Sequence, residues 1–317
     1  MIKNKNLTDI LDIAVLIPCF NEATTINKVV SEFLEEIPSA LIYVYDNSST
    51  DDTAKIAAKA GAIVRSESNI GKGNVVRRMF ADIEADIYII VDGDDTYEVS
   101  KSPHMVNRLI EENLDMVVAT RKTQNSHGEY RWGHVFGNWM LTCSVSLIFG
   151  NGFTDMLSGY RVFSNRFVKS IPVLSKGFEI ETELTVHALQ VGSSFAEVET
   201  NYISRPEGSE SKLSTFKDGF RILGMILILF KENKPFQFFG LCSLMFFVIS
   251  ILISIPLLLT YIEIGLVPRI PTAILSTGLM ILSFFSLISG VILDSLSRSR
   301  VESKKANYLQ FKSLKGK

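Results

Sequence analysis

From Asp12 to Thr120 the apolar positions fall into two alternating rhythms. Nearly unbroken apolar runs occur at DIAVLI (12–17), LIYVYD (41–46), AIVRS (62–66), DIYIIVDGD (86–94) and DMVVAT (115–120). Between them lie segments of helical period. EATTINKVVSEFLEEI places Ile26, Val29, Val30, Phe33 and Ile37 on one face, NSSTDDTAKIAAKAG reads as a capped helix closed by Gly61, and GKGNVVRRMFADIEA starts a helix behind two glycines. Strands without alternation, separated by helices, predict an α/β domain with a mostly parallel sheet covered on both faces. Ligands of such sheets bind beyond the carboxyl ends of the strands. Three polar clusters stand there: PCFNE (18–22), DNSSTDDT (46–53) and DGDDTY (92–97).

After residue 235 the rhythm changes. No charge occurs between Lys234 and Glu263, nor between Arg269 and Asp294. Each interval exceeds the ~20 apolar residues that cross a bilayer core, so two transmembrane helices are predicted within 235–294. Lys231 and Lys234 precede the first, and Arg298, Arg300, Lys304 and Lys305 follow the second, whereas the connecting loop holds only Glu263 and Arg269. The positive-inside rule then places both termini and the amino-terminal domain in the cytosol, at the inner membrane. The segment 211–234 mixes apolar residues with Lys217, Arg221 and Lys231 and reads as an interfacial helix, and 295–317 as a basic, poorly ordered cytosolic tail. Residues 1–210 remain as the α/β domain.

Composition narrows this further. Net charge is −2, which offers no electrostatic footprint for nucleic acid, and Cys19, Cys143 and Cys242 have neither disulfide-framework nor zinc spacing. The sharpest chemical question is set by Asp92, Asp94 and Asp95, three carboxylates in four positions at a strand end. Water offsets their repulsion if this is an exposed turn; otherwise a hard divalent cation with oxygen ligands does. NIGKGNVVR offers glycine amides and Lys72, a frequent way to meet phosphate, although a lone GKG lacks P-loop spacing. Asp46 alone reads as a helix cap.

In order along the chain, IPCFNE, DNSSTDDT, GKGNVVR, DGDDTY, DMLSGYRVF, GFEIETEL and RPEGSESKL, followed by two spans, resemble glycosyltransferase family 2 of GT-A fold, within it the membrane-anchored polyprenyl-phosphate glycosyltransferases. The resemblance implies transfer of a hexose with inversion from a nucleotide sugar, UDP-glucose first and GDP-mannose as the alternative, to a polyprenyl phosphate such as undecaprenyl or dolichyl phosphate. A membrane-tethered protein on an inactive transferase fold is the non-enzymatic rival. The implied roles are nucleotide-sugar binding for Pro18, Phe20, Glu22, Asp46, Lys72, Asp92 and Gly93, and Mg²⁺ or Mn²⁺ binding for Asp92 and Asp94. Arg121, Arg131, Arg205 and Lys212 are implied at the acceptor phosphate, and Asp155 and Arg161 beside the reacting centre with Asp94. Thr96 departs from a glutamine frequent in dolichol-type relatives, and with the extra Asp95 it leaves a third metal ligand open. The resemblance is also compatible with a homotetramer. Glu179, Glu181 and Glu183 alternate in GFEIETEL, and one of them could simply face solvent.

Overall fold

The structure, a computed structural model, describes residues 11–122, 140, 142–146, 152–177, 179–201 and 215–314. The chain divides into two compact units, Met1–Thr215 with Lys304–Lys317, and Phe216–Ser303.

The first unit is built on a seven-stranded sheet of β1 (Ile13–Cys19), β2 (Leu41–Asp46), β3 (Ile63–Ser66), β4 (Ile87–Ile90), β5 (Met116–Lys122), β6 (Arg161–Ser164) and β7 (Phe195–Asn201). Its order is β3-β2-β1-β4-β6-β5-β7. Every pairing is parallel except those of β6, which runs antiparallel to β4 and β5. The helices are α1 (Ile26–Glu36), α2 (Thr53–Lys59), α3 (Lys72–Asp82), α4 (Ser102–Glu111), α5 (Asn165–Ser170) and α6 (Ile180–Val191). The predicted stripe of α1 is the observed one: Ile26, Val29, Val30 and Phe33 are buried against the sheet. Pro18 lies in a central strand, yet the β1–β4 pairing has ended by then, at Leu16 opposite Ile90. There the missing N–H interrupts no β4 pairing.

The apolar runs did not announce β6 and β7. β6 is only four residues long, and β7 buries Ala196, Val198 and Thr200 while its other positions are half-buried or exposed. A strand covered on one face alternates, and short alternation does not stand out.

In the second unit, α7 (Thr215–Asn233) leads to α8 (Pro235–Ile264) and α9 (Ile270–Leu309). α8 and α9 have apolar windows of mean hydropathy 2.6 and 2.1, each only 11% buried. Both are long and apolar enough to cross a membrane. They pack along a seam of small residues seven apart. Ser276, Ser283 and Gly290 line α9 in this seam, while Ser297, next in the series, donates to the Glu232 carbonyl of α7; Ser283 Oγ donates to the Ser243 carbonyl at 2.9 Å and Ser250 Oγ to that of Ser276 at 2.8 Å. A side chain at Gly290 would press on Phe239. Such close, polar contacts hold helices together where lipid removes the hydrophobic drive.

The expectation of a poorly ordered tail from residue 295 is corrected here, because α9 continues to Leu309. Its end is part of the sheet unit. Tyr308 is buried there, its hydroxyl donating to Asp115 Oδ2 at 2.5 Å and its ring lying 4.5 Å from the Arg166 guanidinium. Lys304 donates to Gln190 Oε1, and Leu314 packs on the core.

Candidate active site

Topology alone gathers the polar motifs. β1, β2, β3 and β4 run parallel, so the loops after them leave at one edge. β6 is antiparallel to β4 and β5, which brings the end of β5 and the start of β6 to that same edge. Residues 18–22, 46–53, 67–72, 91–97, 121 and 155–160 therefore share one rim of the sheet.

The first two loops are laced together. Thr50 N donates to Asn21 Oδ1 at 2.8 Å, Asn21 N to Ser49 Oγ at 2.9 Å, and Glu22 N to Thr53 Oγ1 at 2.9 Å. Pro18 is half-buried, Phe20 is 36% exposed, and Glu22 is buried. Asp46 accepts from Ser49 N through Oδ2, while its Oδ1 is buried and finds no hydrogen-bond partner among the described residues. A buried carboxylate oxygen in this condition calls for a donor from outside the fold. Asn47, which the motif reading passed over, braces the next loop: its amide donates to the Glu67 and Asn69 carbonyls and its Oδ1 accepts from Gly71 N at 2.7 Å.

That bond bears on the glycines of GKG. Gly71 N is taken by Asn47, and Gly73 N donates to the Gly177 carbonyl at 3.2 Å. Gly71 has φ +126°, and a Cβ at Gly71 or Gly73 would run into the backbone of Lys176 or Ser175. The glycines serve a close approach of two chain segments, so the expected cradle of open amides for phosphate is not formed by them. Lys72 is not open either. Its Nζ lies 2.5 Å from Asp92 Oδ1 and 2.5 Å from Glu181 Oε1. Burial pulls the ammonium down, but Asp92 and then Glu181 outweigh it and hold Lys72 above the usual lysine range.

The three aspartates of the turn each have a separate neighbour. Asp92 meets Lys72, Asp94 accepts from Thr96 Oγ1 at 2.6 Å, and Asp95 meets Lys28 Nζ at 2.7 Å. Thr96 thus orients a carboxylate from the position where a glutamine was noted as frequent. Gly93 is fixed by its carbonyl, which accepts from Thr25 Oγ1 at 2.6 Å, and a Cβ on it would strike Cys19 Sγ. The loop before β6 closes over this turn. Gly159 N donates to Tyr97 Oη at 2.9 Å, and a side chain at Gly159 would collide with Asp92.

Arg121 and Asp155 are brought together as a two-pronged pair, both bonds 2.7 Å. Arg161 is not at the surface of the rim. It is fully buried and donates to the Met156 and Ser158 carbonyls and to Thr185 Oγ1. Burial pulls its guanidinium down to about 10, so it stays charged near neutrality. Its donors go to the loop that carries Asp155 and Gly159, which makes it a brace for that loop. Arg131, Arg205 and Lys212 lie outside the described residues.

A model of the family described as glycosyl transferase family 2 matches residues 14–168. The glycosyltransferase AglJ of Haloferax volcanii is 35% identical over 229 residues, 72% of this chain and 75% of AglJ. The chain belongs to glycosyltransferase family 2. A dolichyl-phosphate hexose transferase of the same organism is 26% identical over 211 residues, 67% of this chain and 90% of that one. Among solved structures, glucosyl-3-phosphoglycerate synthase from Mycobacterium tuberculosis, in complex with Mn²⁺, uridine diphosphate and phosphoglyceric acid, has a TM-score of 0.57 at 22% identity, covering 70% of this chain and 78% of its own. This shared fold is the GT-A fold expected from the motifs.

For a family 2 glycosyltransferase the residues at the rim suit a hard divalent cation. Asp92 and Asp94 offer only carboxylate oxygens, two positions apart on one turn, and the Asp92 side chain is 29% exposed. No group of three metal-ligating side chains occurs among the described residues. A cation here would draw its other oxygens from a diphosphate and water. Glu181 is the residue that the motif reading left undivided among three glutamates. It is buried against Lys72, whereas Glu183 accepts from the amides of Leu174 and Ser175. α6 is buried along most of its length, so no apolar stripe separates one glutamate from the next.

Proposed function

We propose that this glycosyltransferase moves a hexose from a nucleotide sugar to a polyprenyl phosphate at the cytosolic face of a membrane. UDP-glucose is the favoured donor, GDP-mannose the alternative, and undecaprenyl or dolichyl phosphate the acceptor. The product is a lipid-phosphate sugar for an envelope glycan or for protein glycosylation. The observation that carries the reading is the presence in one chain of an acidic turn at the rim of a GT-A sheet and two helices able to cross a bilayer. Its likeness to a dolichyl-phosphate hexose transferase supports a lipid acceptor. The fold shared with a synthase crystallised with Mn²⁺ and uridine diphosphate supports a metal-bound nucleotide donor. The basic flanks of the two helices support cytosolic termini.

The chemistry follows from charge. A phosphate monoester is mostly dianionic at neutral pH, its second pKa being about 6, and needs no strong base. Its oxygen attacks the anomeric carbon as the bond to the nucleoside diphosphate breaks, which inverts that carbon. The difficulty is bringing two anions together. Asp46, whose Oδ1 has no partner among the described residues, takes a donor from the nucleoside. Asp92 and Asp94 would hold Mg²⁺ or Mn²⁺, which would supply positive charge to the leaving diphosphate. Arg131, Arg205 and Lys212 are assigned to the acceptor phosphate, arginine because its fork grips two oxygens. Arg121, expected at the acceptor phosphate, holds and orients Asp155 through two of its nitrogens, so Asp155 serves to position a sugar hydroxyl or the acceptor rather than to remove a proton.

The test offers full-length protein in bilayers a panel of radiolabelled nucleotide sugars with undecaprenyl phosphate and Mg²⁺ or Mn²⁺. A labelled lipid-phosphate sugar formed from one donor is the expected result. Binding of nucleotide sugar with no transfer from any donor would favour the inactive, tethered reading instead.

A further inference from the structure

We propose that Lys72 is a resident counter-cation that keeps bare metal off Asp92, and that Glu181 is the carboxylate that retains its ammonium when metal and nucleotide arrive together. This rests on the reading of Asp92 and Asp94 as the metal-binding pair. One ammonium touches both carboxylates at 2.5 Å. The two ends of the bridge differ: the Asp92 side chain is 29% exposed, those of Lys72 and Glu181 only 10% and 7%. The outer bond is thus the one open to exchange, and the inner one is sheltered.

The electrostatics set the order of events. Lys72 with two carboxylates carries one net negative charge, so Asp92 is already half satisfied. A divalent ion arriving alone must share Asp92 with an ammonium that repels it across a poorly screened distance. A nucleoside diphosphate brings its own negative charge, which offsets that repulsion and tips the exchange. Glu181 then keeps the buried ammonium paired, as a buried charge requires. Without Glu181 the ammonium would have Asp92 as its only carboxylate in this bridge and would hold it more firmly. Lys72 and Glu181 are therefore positioning residues with opposite effects on the same metal site.

Electron paramagnetic resonance of free Mn²⁺, titrated with the full-length protein in detergent, reads this directly, with Mn²⁺ alone and with Mn²⁺ plus UDP or GDP. Wild type is expected to bind Mn²⁺ alone weakly and about tenfold or more tightly with a nucleoside diphosphate. Lys72→Met should tighten binding of Mn²⁺ alone and flatten the dependence on nucleotide, whereas Glu181→Gln should weaken binding of Mn²⁺ alone. Lys72→Arg, which keeps the charge, should resemble wild type. Opposite shifts in the Met and Gln variants are the signature, because mere loss of structure would weaken binding in both. Parallel shifts, or none, overturn the proposal. If Lys72→Met does not fold, Glu181→Gln decides alone, and unchanged or tighter Mn²⁺ binding overturns it. Wild type that binds no Mn²⁺ even with either nucleotide would instead overturn the metal reading itself, and the exchange with it.

Discussion

Asp115 and the Asp92–Asp95 turn are both acidic, and both adjoin strands of one sheet, but they are satisfied in different ways. Asp115, just before β5, is 1% exposed and accepts from Ser164 Oγ, from Arg166 through two nitrogens, from Ser194 and from Tyr308. Its lone pairs are spent inside the fold. Asp92, just after β4, meets one ammonium and keeps 29% of its side chain in solvent. Asp46 leaves a buried oxygen without a partner among the described residues. A carboxylate saturated by its own chain is structural; one left partly open at the carboxyl edge of a parallel sheet is available to a ligand. The count of donors, not the density of aspartates, separates the two.

The largest effect that tests this contrast is on stability. Asp115→Ala leaves Arg166 and Tyr308 without their common acceptor. Breaking a buried pair by removing one partner costs about 3–5 kcal/mol, and the lower end applies because Arg166 can turn toward water. Chemical denaturation of the sheet unit within the full-length protein should move by that amount, while turnover per folded molecule stays near wild type. Turnover lost with stability intact would make Asp115 a working residue and break the comparison.

The next effect runs the other way. Asp92→Asn and Asp94→Asn keep the shape of each side chain and remove its charge. Turnover should fall about 10²–10³-fold, the scale of losing one major stabiliser of developing charge. The midpoint of thermal unfolding should change little. Full activity of either variant in the presence of EDTA would remove the metal from the mechanism.

How much of this was legible in the chain depends on the kind of signal. β1, β4 and β5 stood out because they are buried on both faces and therefore read as apolar runs, and β2 because most of it is; β3 is mostly exposed, and only its Ile63–Val64 pair between two helical segments marked it. β6 and β7 did not, and with β6 went the antiparallel reversal that brings Asp155 and Gly159 to the rim. The rim itself was visible, because parallel strands place their polar ends together whatever the details. The partnerships were not. Nothing in GKG says that its amides face Asn47 and Gly177, since those contacts join residues 24 and about a hundred positions apart. Nor does GFEIETEL say which glutamate reaches Lys72. The end of α9 was misread for a related reason: Arg298 to Lys305 look like a solvated tail, and only the distant Asp115 and Arg166 explain why Tyr308 is buried.

The smallest effect concerns Asp95, the extra carboxylate of the turn. It sits at φ +57°, a left-handed conformation that Asn adopts as readily as Asp, so Asp95→Asn removes charge without straining the backbone. Asp95 is only 10% exposed, but its partner Lys28 is 55% exposed and stays solvated, which holds such a pair to about 1 kcal/mol or less. Held by Lys28 on the α1 side, Asp95 stands apart from the Lys72 bridge. The variant should therefore unfold within about 1 kcal/mol of wild type and keep wild-type Mn²⁺ affinity in the presence of a nucleoside diphosphate. Only turnover should drift, by a few-fold at most, as the turn loses one negative charge. The measurement is the same Mn²⁺ titration, set beside that of Asp94→Asn. If Asp95→Asn weakens Mn²⁺ as much as Asp94→Asn does, Asp95 is the third ligand. The turn would then offer three carboxylates to the cation, and the bond of Asp95 to Lys28, like that of Asp92 to Lys72, would be one that gives way to metal.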